Sequence, residues 1–200
     1  MSSAPLRYIG DISLEDAQLL SRFAASARRI LEFGAGASTQ VLAQSAPEDA
    51  EIVTVETDPR WVERTQRNLA LLGLKREVKF LAYRGFWRTL QGPFDFVFDD
   101  GLDKRRGEFA ERAWPLLAVG GAMLFHDTRR PEDARTALRH VERVFLEVES
   151  VQLNAEGSNI TVVRKRAPLQ YVDWNVAERR ARWEYGHEEP PPGLWGNKSS

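Results

Sequence analysis

Short apolar runs alternate with segments of helical periodicity along most of the chain. Runs rich in Val, Ile, Leu and Phe predict buried strands. They fall at residues 30–33, 52–55, 78–83, 94–98 and 122–125. Before and between them, apolar positions recur at the spacing of an amphipathic helix. These segments are 14–27, 38–46, 59–72, 109–117 and 131–145. Strands that alternate with helices predict a mostly parallel sheet with helices on both faces.

Two further apolar runs lie too close together for a helix between them. They are Glu147–Leu153 and Asn159–Val163, with a turn at 156–158. Two strands joined by so short a link predict an antiparallel hairpin, which gives a seven-stranded α/β sheet in all. The first helix has a start signal, because Ser13 can cap it and Asp16 stands in the position of a capping-box acid.

Composition narrows the class of protein. The chain has 200 residues, 28 Lys and Arg against 29 Asp and Glu, and no Cys. One main domain is the default at this length, and disulfides, cysteine–zinc sites and a thiol nucleophile are excluded. A net charge of −1 disfavours a protein held to nucleic acid by bulk charge. There is no apolar run long enough for a bilayer and no signal-peptide pattern, so we expect a soluble, cytoplasmic protein.

The residue composition of the chain changes after Arg166. Aromatic residues are interleaved with charges, and a Pro-rich stretch follows at 190–193. The aromatic residues are Tyr171, Trp174, Trp183, Tyr185 and Trp195. Aromatic and arginine side chains are enriched at interfaces. We expect an α/β domain over residues 1–166 and a C-terminal extension over 167–200 that packs on the domain, covers its site as a lid or forms a homodimer.

A glycine turn follows the first predicted strand, at residues 32–39. Ligands of open α/β sheets bind at such carboxyl ends of strands. Gly34 and Gly36 allow a tight turn and a close approach of backbone N–H groups to a ligand. Glu56 comes twenty residues after Gly36, where a carboxylate can accept hydrogen bonds from both hydroxyls of a ribose. The pair indicates a nucleoside site; a generic turn with a surface glutamate is the alternative.

Two residues of this turn distinguish a dinucleotide from a sulfonium nucleoside. A dinucleotide fingerprint has a third glycine three residues after the second, and here that residue is Thr39. Glu32, two residues before the first glycine, would be unfavourable beside a pyrophosphate but would balance a positive ligand. The pattern therefore favours the sulfonium nucleoside.

From Arg29 to Val163 the chain resembles the class I S-adenosylmethionine-dependent methyltransferases. The matching segments are the Ser-Thr variant of their first motif at 32–39, the ribose acid Glu56, the fourth-strand motif at 94–100 and the leucine-and-glycine turn at 116–121. The resemblance implies a Rossmann-like fold that binds S-adenosylmethionine. The cofactor-binding residues it implies are Glu32, Gly34, Ala35, Gly36, Ser38, Thr39, Glu56 and, toward the cofactor's amino group, Asp99.

One departure lies at the end of the third strand. Many relatives place an acid there that holds the adenine amino group, whereas residues 83–86 of this chain are Tyr, Arg, Gly and Phe. We expect the adenine to stack on Phe86 or Trp87 instead; ordinary packing of these rings under a loop is the alternative.

Acidic residues end the fourth strand and follow the fifth. They are Asp99, Asp100 and Asp127, the last between His126 and Thr128. Ends of neighbouring parallel strands lie roughly 4.8 Å apart, so these side chains converge, and paired carboxylates can hold Mg²⁺. The segment resembles metal-dependent, catechol-type O-methyltransferases, which implies Asp100 and Asp127 as metal ligands, with Thr128 replacing an Asn. A second, bacterial small-molecule group has His-Asp after its fifth strand, as this chain does.

Two mechanisms stay open on the sequence alone. With Mg²⁺, the metal would lower the pKa of an acceptor hydroxyl, and Lys104, in an Asp-Lys pair shifted by one residue, would take its proton. Without a metal, His126 is the natural base because its unperturbed pKa is about 6.5, oriented by Asp100 or Asp127. The structural alternatives are helix caps for the acids, a hydrogen bond for His126 and a solvated helix end for Lys104–Arg106.

The expected function is transfer of a methyl group from S-adenosylmethionine to a small-molecule acceptor, at an oxygen atom. A nicotinamide-dependent oxidoreductase is one alternative, disfavoured by Thr39. A non-catalytic nucleoside-binding or interaction protein on the same fold is another. The near-neutral charge disfavours a nucleic-acid acceptor.

Overall fold

A computed structural model of the chain describes residues 5–169. Its strands are β1 (Arg29–Phe33), β2 (Glu51–Glu56), β3 (Lys79–Ala82), β4 (Phe94–Asp99), β5 (Leu117–Phe125), β6 (Val148–Gln152) and β7 (Thr161–Lys165). Its helices are α1 (Leu14–Ala24), α2 (Ala37–Ser45), α3 (Pro59–Leu71), α4 (Arg106–Ala113) and α5 (Pro131–Val144). Short 3₁₀ turns lie at 86–88, 103–105, 114–116, 145–147 and 155–157.

The seven strands form one sheet in the order β3-β2-β1-β4-β5-β7-β6. The strands from β3 to β5 are parallel, and β7 runs antiparallel to both β5 and β6. The predicted Rossmann-like sheet, with its parallel centre and antiparallel C-terminal hairpin, is confirmed. The direction of strand order reverses at β1, between β2 and β4, and in such sheets this point opens a crevice at the carboxyl ends of the strands.

The two faces of the sheet bury separate apolar layers. Alternate residues of a strand point to opposite faces, so Ile30 joins the layer with α1 and α2 while Leu31 joins the layer with α4. Both side chains are fully buried. Because both faces are covered, β1 needs a continuous apolar run. The layers fix the carboxyl ends of β1, β2, β4 and β5 at one edge of the sheet, where the polar residues collect.

Strand β5 is longer than its sequence predicts. It begins at Leu117 and not at Ala122, so the paired glycines expected in a turn lie inside the strand. A Cβ on Gly121 would stand 2.7 Å from the carbonyl oxygen of Asp95. Glycine is therefore required there by the close approach of β4.

The start of α1 has the predicted Ser13 cap, but the carboxylate of Asp16 also makes contacts outside the helix. Ser13 Oγ accepts a hydrogen bond from the Asp16 backbone N–H at 3.1 Å, which confirms the cap. The carboxylate of Asp16 is buried, and besides its contact with Ser13 it accepts a hydrogen bond from the Asn159 N–H, outside the helix. This acid is part of the site described below.

Residues 170–200 lie outside the described part of the chain. The boundary at 166, the C-terminal extension and its role as a lid or dimer arm therefore stay predictions. Within residues 5–169, none of the helices has the length and apolar character needed to cross a membrane.

Candidate active site

The glycine turn joins β1 to α2 at the centre of the sheet edge. Gly34 has φ +89°, and a Cβ there would lie 2.4 Å from the carbonyl oxygen of Asp100. Its glycine is required by close packing against the turn after β4. Gly36 differs, because its backbone is extended with φ 177° and a Cβ would meet nothing within 4 Å. A side chain at Gly36 would project into open space.

Glu32 lies beneath the turn. It is fully buried, and its carboxylate accepts hydrogen bonds from the hydroxyls of Ser38 at 2.6 Å, Thr39 at 2.7 Å and Thr54 at 2.7 Å. Burial raises the pKa of Glu32 to about 7. Thr39 is fully buried as well. The structure therefore assigns Glu32 and Thr39 to holding the shape of the turn from below, where the sequence implied direct contact with the cofactor.

Glu56 connects the turn to the start of α3. Its Oε2 accepts a hydrogen bond from the Ala35 N–H at 2.7 Å, and its Oε1 accepts one from the Asp58 N–H at 2.9 Å. Oε1 also accepts hydrogen bonds from the Thr57 N–H at 2.5 Å and the Thr57 hydroxyl at 3.0 Å. A carboxylate oxygen has about two lone-pair sites, so Oε1 is fully used, whereas Oε2, with one bond, keeps one site open. The side chain stands in the wall of a cavity.

That cavity has a volume of about 590 Å³, within the usual range of small-molecule sites. Its walls are the glycine turn, the end of β2 with the first turns of α3, residues 9–12 and residues 100–102. Of the residues predicted to bind the cofactor, those in the walls are Gly34, Ala35, Gly36, Ser38 and Glu56. The cavity, referred to below as the turn cavity, thus lies where the sequence placed a nucleoside.

One aromatic residue of the turn cavity was missed by the sequence argument. Trp61 on α3 is 45% exposed and stands in the wall, with the Arg64 guanidinium 5.0 Å from the centre of its ring. An exposed tryptophan one turn into the helix that follows a ribose acid was the available signal. The sequence pattern instead predicted a ring near the end of β3.

Phe86 and Asp99 do not reach the turn cavity. Phe86 is buried, with its ring centroid 3.7 Å from that of Trp87 and 5.9 Å from that of Phe33. Core packing takes its faces, so the structure does not support stacking of adenine on Phe86; stacking on Trp87, which is partly exposed, stays a prediction. Asp99 follows Val97 on the α4 face of the sheet and is fully buried, with neither carboxyl oxygen hydrogen-bonded. Burial raises its pKa well above the ordinary value, and it offers no contact to a cofactor amino group.

A second cavity of about 520 Å³ lies between the start of α1 and the turn after β5. Asp16, His126, Asp127 and Asn159 contribute polar groups to its walls. We refer to it as the acid cavity. Asp100 belongs to the walls of both cavities. Ligands bound in the two cavities would therefore meet beside this carboxylate.

His126 is held between two carboxylates. Its Nδ1 lies 2.9 Å from Asp100 Oδ1, and its Nε2 lies 3.4 Å from Asp16 Oδ2. The contact with Asp100 is therefore an ion pair when the ring carries both protons. Burial alone would lower the pKa of His126, but the carboxylates raise it from 6.5 to about 10. The ring is a cation at neutral pH, which corrects the expectation of a neutral base.

Asp16 is the acid that sequence reasoning assigned to a different role. It is 2% exposed, and its Oδ1 accepts a hydrogen bond from the Asn159 N–H at 2.6 Å. Burial opposes its ionisation, but hydrogen bonds from His126, Ser13 and Asn159 hold its pKa below the ordinary value. Only the folded chain brings α1 against the loop that precedes β7.

Arg106 enters the same cluster from the first turn of α4 and is 4% exposed. Its Nη2 lies 2.9 Å from Asp100 Oδ1 and 3.3 Å from Asp127 Oδ2. Its Nη1 donates to the His126 carbonyl at 2.8 Å, and its Nε donates to the Gly101 carbonyl at 3.2 Å. A solvated helix end was one expectation for this arginine, whereas the structure buries it as a cation of the site.

The structure does not bring Lys104 or Thr128 to the acids. Lys104 is exposed on the 3₁₀ turn at 103–105 and lies in the wall of a separate cavity of about 240 Å³, with Thr136 and Arg139 of α5. It therefore lacks the contact that a proton acceptor needs. Thr128 is buried, and its hydroxyl donates to Asn154 Oδ1 at 3.2 Å.

The predicted metal ligands do lie close together. Asp100, His126 and Asp127 each offer a ligand atom, and these atoms lie within 4.8 Å of one another. The oxygens, however, already face cations, since Asp127 Oδ2 lies 2.7 Å from Arg130 Nη2 in addition to its contact with Arg106. Mg²⁺ requires near-octahedral oxygen ligands. Oxygens that carry guanidinium groups, beside a protonated imidazole, do not fit Mg²⁺.

Comparison with known proteins agrees with this geometry. A family described as a methyltransferase domain matches residues 31–128. The catechol O-methyltransferase of Niastella koreensis is 33% identical over 111 residues, which are 52% of this chain and 50% of that protein. The chain therefore spans about half the length of the curated relative it matches.

Solved structures show the same fold. The O-methyltransferase TomG from Streptomyces achromogenes, in complex with SAM, has a TM-score of 0.64 and 24% identity, over 78% of this chain and 82% of that one. An O-methyltransferase from Bacillus cereus, in complex with SAH, has a TM-score of 0.62 and 21% identity, over 78% and 83%. Together with the strand order and the glycine turn, the matches show that the chain has the Rossmann-like methyltransferase fold and that residues 31–128 are similar to a methyltransferase domain.

Proposed function

We propose that this protein transfers a methyl group from S-adenosylmethionine to an oxygen atom of a small-molecule acceptor. The observation that carries the proposal is the position of Asp100 in the walls of both cavities. A two-substrate transfer needs adjoining sites, because its reacting atoms must come into contact. The names of the similar proteins from N. koreensis and S. achromogenes, both O-methyltransferases, support an oxygen as the methylated atom.

The turn cavity is the proposed cofactor site. S-adenosylmethionine supplies a methyl group bonded to a positively charged sulfur. Oε2 of Glu56 would accept a hydrogen bond from a ribose hydroxyl, and the backbone of residues 34–36 would lie against the ligand. Trp61 offers a flat apolar surface to the base. The open space beside Gly36 fits a ligand that lies directly on the turn.

Residues 9–12 close the turn cavity on the side toward α1. Ile9 is fixed by Gln40, because the Ile9 N–H donates to Gln40 Oε1 at 2.8 Å and Gln40 Nε2 donates to the Ile9 carbonyl at 3.0 Å. Asp11 and Ile12 stand in the walls of both cavities. This segment would hold cofactor and acceptor side by side.

The acid cavity is the proposed acceptor site. The acceptor oxygen forms its new bond to the methyl carbon as the carbon–sulfur bond breaks, and the electron pair of that bond stays on sulfur. The hydroxyl proton passes to the carboxylate of Asp100. The imidazolium of His126, 2.9 Å from the same carboxylate, stabilises the negative charge that develops on the acceptor oxygen. Asp16 holds the ring in place, and most of the rate enhancement comes from positioning.

No step of this mechanism is assigned to Mg²⁺, because the residues around the predicted site do not fit that ion. Nor is a step assigned to Lys104, which faces another cavity. The proposed site residues are therefore Asp100, His126 and Asp16 on the acceptor side, with residues 34–36, Ser38, Glu56 and Trp61 on the cofactor side.

The test is calorimetric titration of S-adenosylmethionine and S-adenosylhomocysteine into the full chain. Glu56→Gln removes the charge at the proposed ribose acceptor, and Glu63→Gln is the matched control on an exposed position of α3. We expect binding to the wild type and the control, and a loss of about tenfold or more in Glu56→Gln, because charge-assisted hydrogen bonds are weakened.

Acceptors are then screened by mass spectrometry for methylated products, starting from phenols and alcohols. If neither nucleoside binds the wild type, the proposal is wrong. Binding without a product from any acceptor class would favour the non-catalytic alternative.

A further inference from the structure

We infer that Arg106 takes the place of a divalent metal ion in this site, so that the acid cluster works with a cation built into the chain. The inference rests on the proposed methyl transfer and deepens it, since it states what kind of acceptor the site can use. It starts from the disagreement between the predicted Mg²⁺ ligands and the contacts that these ligands make.

The first step is the position of the guanidinium. Its Nη2 lies between the two acids that the sequence implied as metal ligands, 2.9 Å from Asp100 Oδ1 and 3.3 Å from Asp127 Oδ2. An ion that joined these carboxylates would have to stand where this nitrogen stands. A second charge of the same sign is strongly unfavourable at such a distance.

The second step is that the guanidinium cannot withdraw. The side chain is buried, and two of its other N–H groups donate to backbone carbonyls, those of His126 and Gly101. Its Nη1 also lies 3.3 Å from Asp133 Oδ1 on α5. Removing the side chain from this position would leave buried carbonyls and acids without a partner, which is costly.

The third step is the occupation of the carboxylate oxygens. Asp100 Oδ1 lies 2.9 Å from Arg106 Nη2, and Asp127 Oδ2 lies 3.3 Å from the same nitrogen and 2.7 Å from Arg130 Nη2. A divalent ion that bound these oxygens would have to displace two guanidinium groups.

The consequence concerns the acceptor. A metal in this position would bind two oxygens of the acceptor at once, which selects vicinal diols such as catechols. A buried guanidinium offers no open coordination position and fixes the carboxylates from behind. The site therefore needs one nucleophilic hydroxyl, and the acceptor class is a monohydric phenol or alcohol. Arg106 is a positioning residue, since it touches Asp100 and His126 and not the acceptor.

The experiment measures binding of Mn²⁺ alone to the full chain by electron paramagnetic resonance, because Mn²⁺ accepts both carboxylate and imidazole ligands. The proteins are the wild type, Arg106→Gln, Asp127→Asn, the double variant that combines these two substitutions, and Arg105→Gln. Arg105 is the matched control, since it is the neighbouring arginine, pairs with Glu108 and does not contact Asp100 or Asp127.

We expect no saturable Mn²⁺ binding in the wild type or in Arg105→Gln. Arg106→Gln should gain affinity by at least about tenfold, because a cation between two carboxylates has been removed, and the double variant should lose that gain. A merely structural arginine would not create ion affinity when removed. Saturable binding to the wild type that Asp127→Asn abolishes would overturn the inference, and so would a folded Arg106→Gln protein without any gain.

Circular dichroism reports whether Arg106→Gln folds. If it does not, Arg130→Gln serves in its place, because Arg130 contacts the same Asp127 oxygen from a half-exposed position. We expect a smaller gain in this variant, and its absence counts against the inference in the same way. Calorimetry with S-adenosylmethionine on the same proteins separates this outcome from a failure of the proposed function, since cofactor binding does not depend on the ion.

Discussion

Removal of the Asp16 carboxylate is the most direct test of the charged site. Asp16→Asn keeps the size of the side chain and its acceptor for the Asn159 N–H, but it removes the charge 3.4 Å from His126 Nε2. His126 then keeps Asp100 as its closest acid, at 2.9 Å. The change therefore isolates one of the two carboxylates that hold the proton on the ring.

The expected effect is a fall in the pKa of His126. At an effective dielectric constant of about 20, unit charges 3.4 Å apart interact by about 5 kcal/mol, which is an upper limit. One neighbouring charge usually shifts a pKa by about 1–3 units. We therefore expect the pKa of His126 to fall from about 10 to about 8 in Asp16→Asn.

Nuclear magnetic resonance of the imidazole nitrogens during a pH titration measures this pKa. The chain has three histidines, so the signals can be assigned by single substitutions. His140, which is buried and has a pKa lowered to about 4, is an internal reference at the other end of the range. Glu15→Gln is the matched control, because Glu15 is an exposed acid of the same helix. A wild-type His126 that titrates near 6.5, or one that Asp16→Asn leaves unchanged, would refute the reasoning.

Three further outcomes are expected. Gly36→Leu should abolish S-adenosylmethionine binding in calorimetry while the melting temperature stays within a few degrees, because a Cβ there meets no atom within 4 Å and the backbone is extended; unchanged binding would contradict the proposed cofactor position. His140→Phe should reduce the loss of unfolding free energy, measured by urea titration, between pH 7 and pH 5. Because the pKa of His140 is about 4 in the folded protein and 6.5 in the unfolded chain, the wild type should lose about 2 kcal/mol over this range. An equal loss in the variant would contradict the lowered pKa of His140. Methyl transfer should persist in EDTA and fall as the pH rises past about 10, where His126 loses its proton; a rate that depends on added Mg²⁺, or that rises steadily toward pH 10, would refute the cationic role of the ring.

The raised pKa of His126 also determines the pH range over which this residue stabilises the folded protein. The folded pKa of His126, about 10, lies above its ordinary value of 6.5, so the unfolded chain gives up this proton first. The stabilisation is complete below pH 6.5 and is lost as the pH rises toward 10. His140 has the opposite sign, because its pKa is lowered and its contribution is lost as the pH falls.

The fold could be predicted from the sequence because β1, β2 and β4 are covered on both faces and their sequences are mostly apolar, with one polar residue inside each run. The turn cavity could be predicted in part for a related reason. The glycines and Glu56 lie at the ends of two neighbouring strands and depend on local backbone geometry, so their spacing along the chain is enough to predict the site. Prediction from the sequence fails at Phe86, because a ring near a strand end can pack into the core or face a cavity, and the sequence does not distinguish the two.

The acceptor side could not be predicted in the same way. Asp16, Arg106 and His126 come from α1, α4 and the turn after β5, and no spacing along the chain records that they meet. Lys104 and Arg106 are two residues apart in a run of basic residues, yet the start of α4 turns one to solvent and the other into the acids. The raised pKa of His126 follows from that meeting and not from the residue type.

The hydrogen bond between Asp16 and the Asn159 N–H joins positions 143 residues apart. Closing so long a stretch of chain has an entropic cost that local contacts do not have. The parallel strands from β1 to β5 and their helices can pack before Asn159 is in place. We therefore expect the acceptor side of the site to open at a lower free energy than the centre of the sheet. Amide hydrogen exchange at Asn159 would accordingly be faster than at the centre of β1, and a ligand in the acid cavity would slow it.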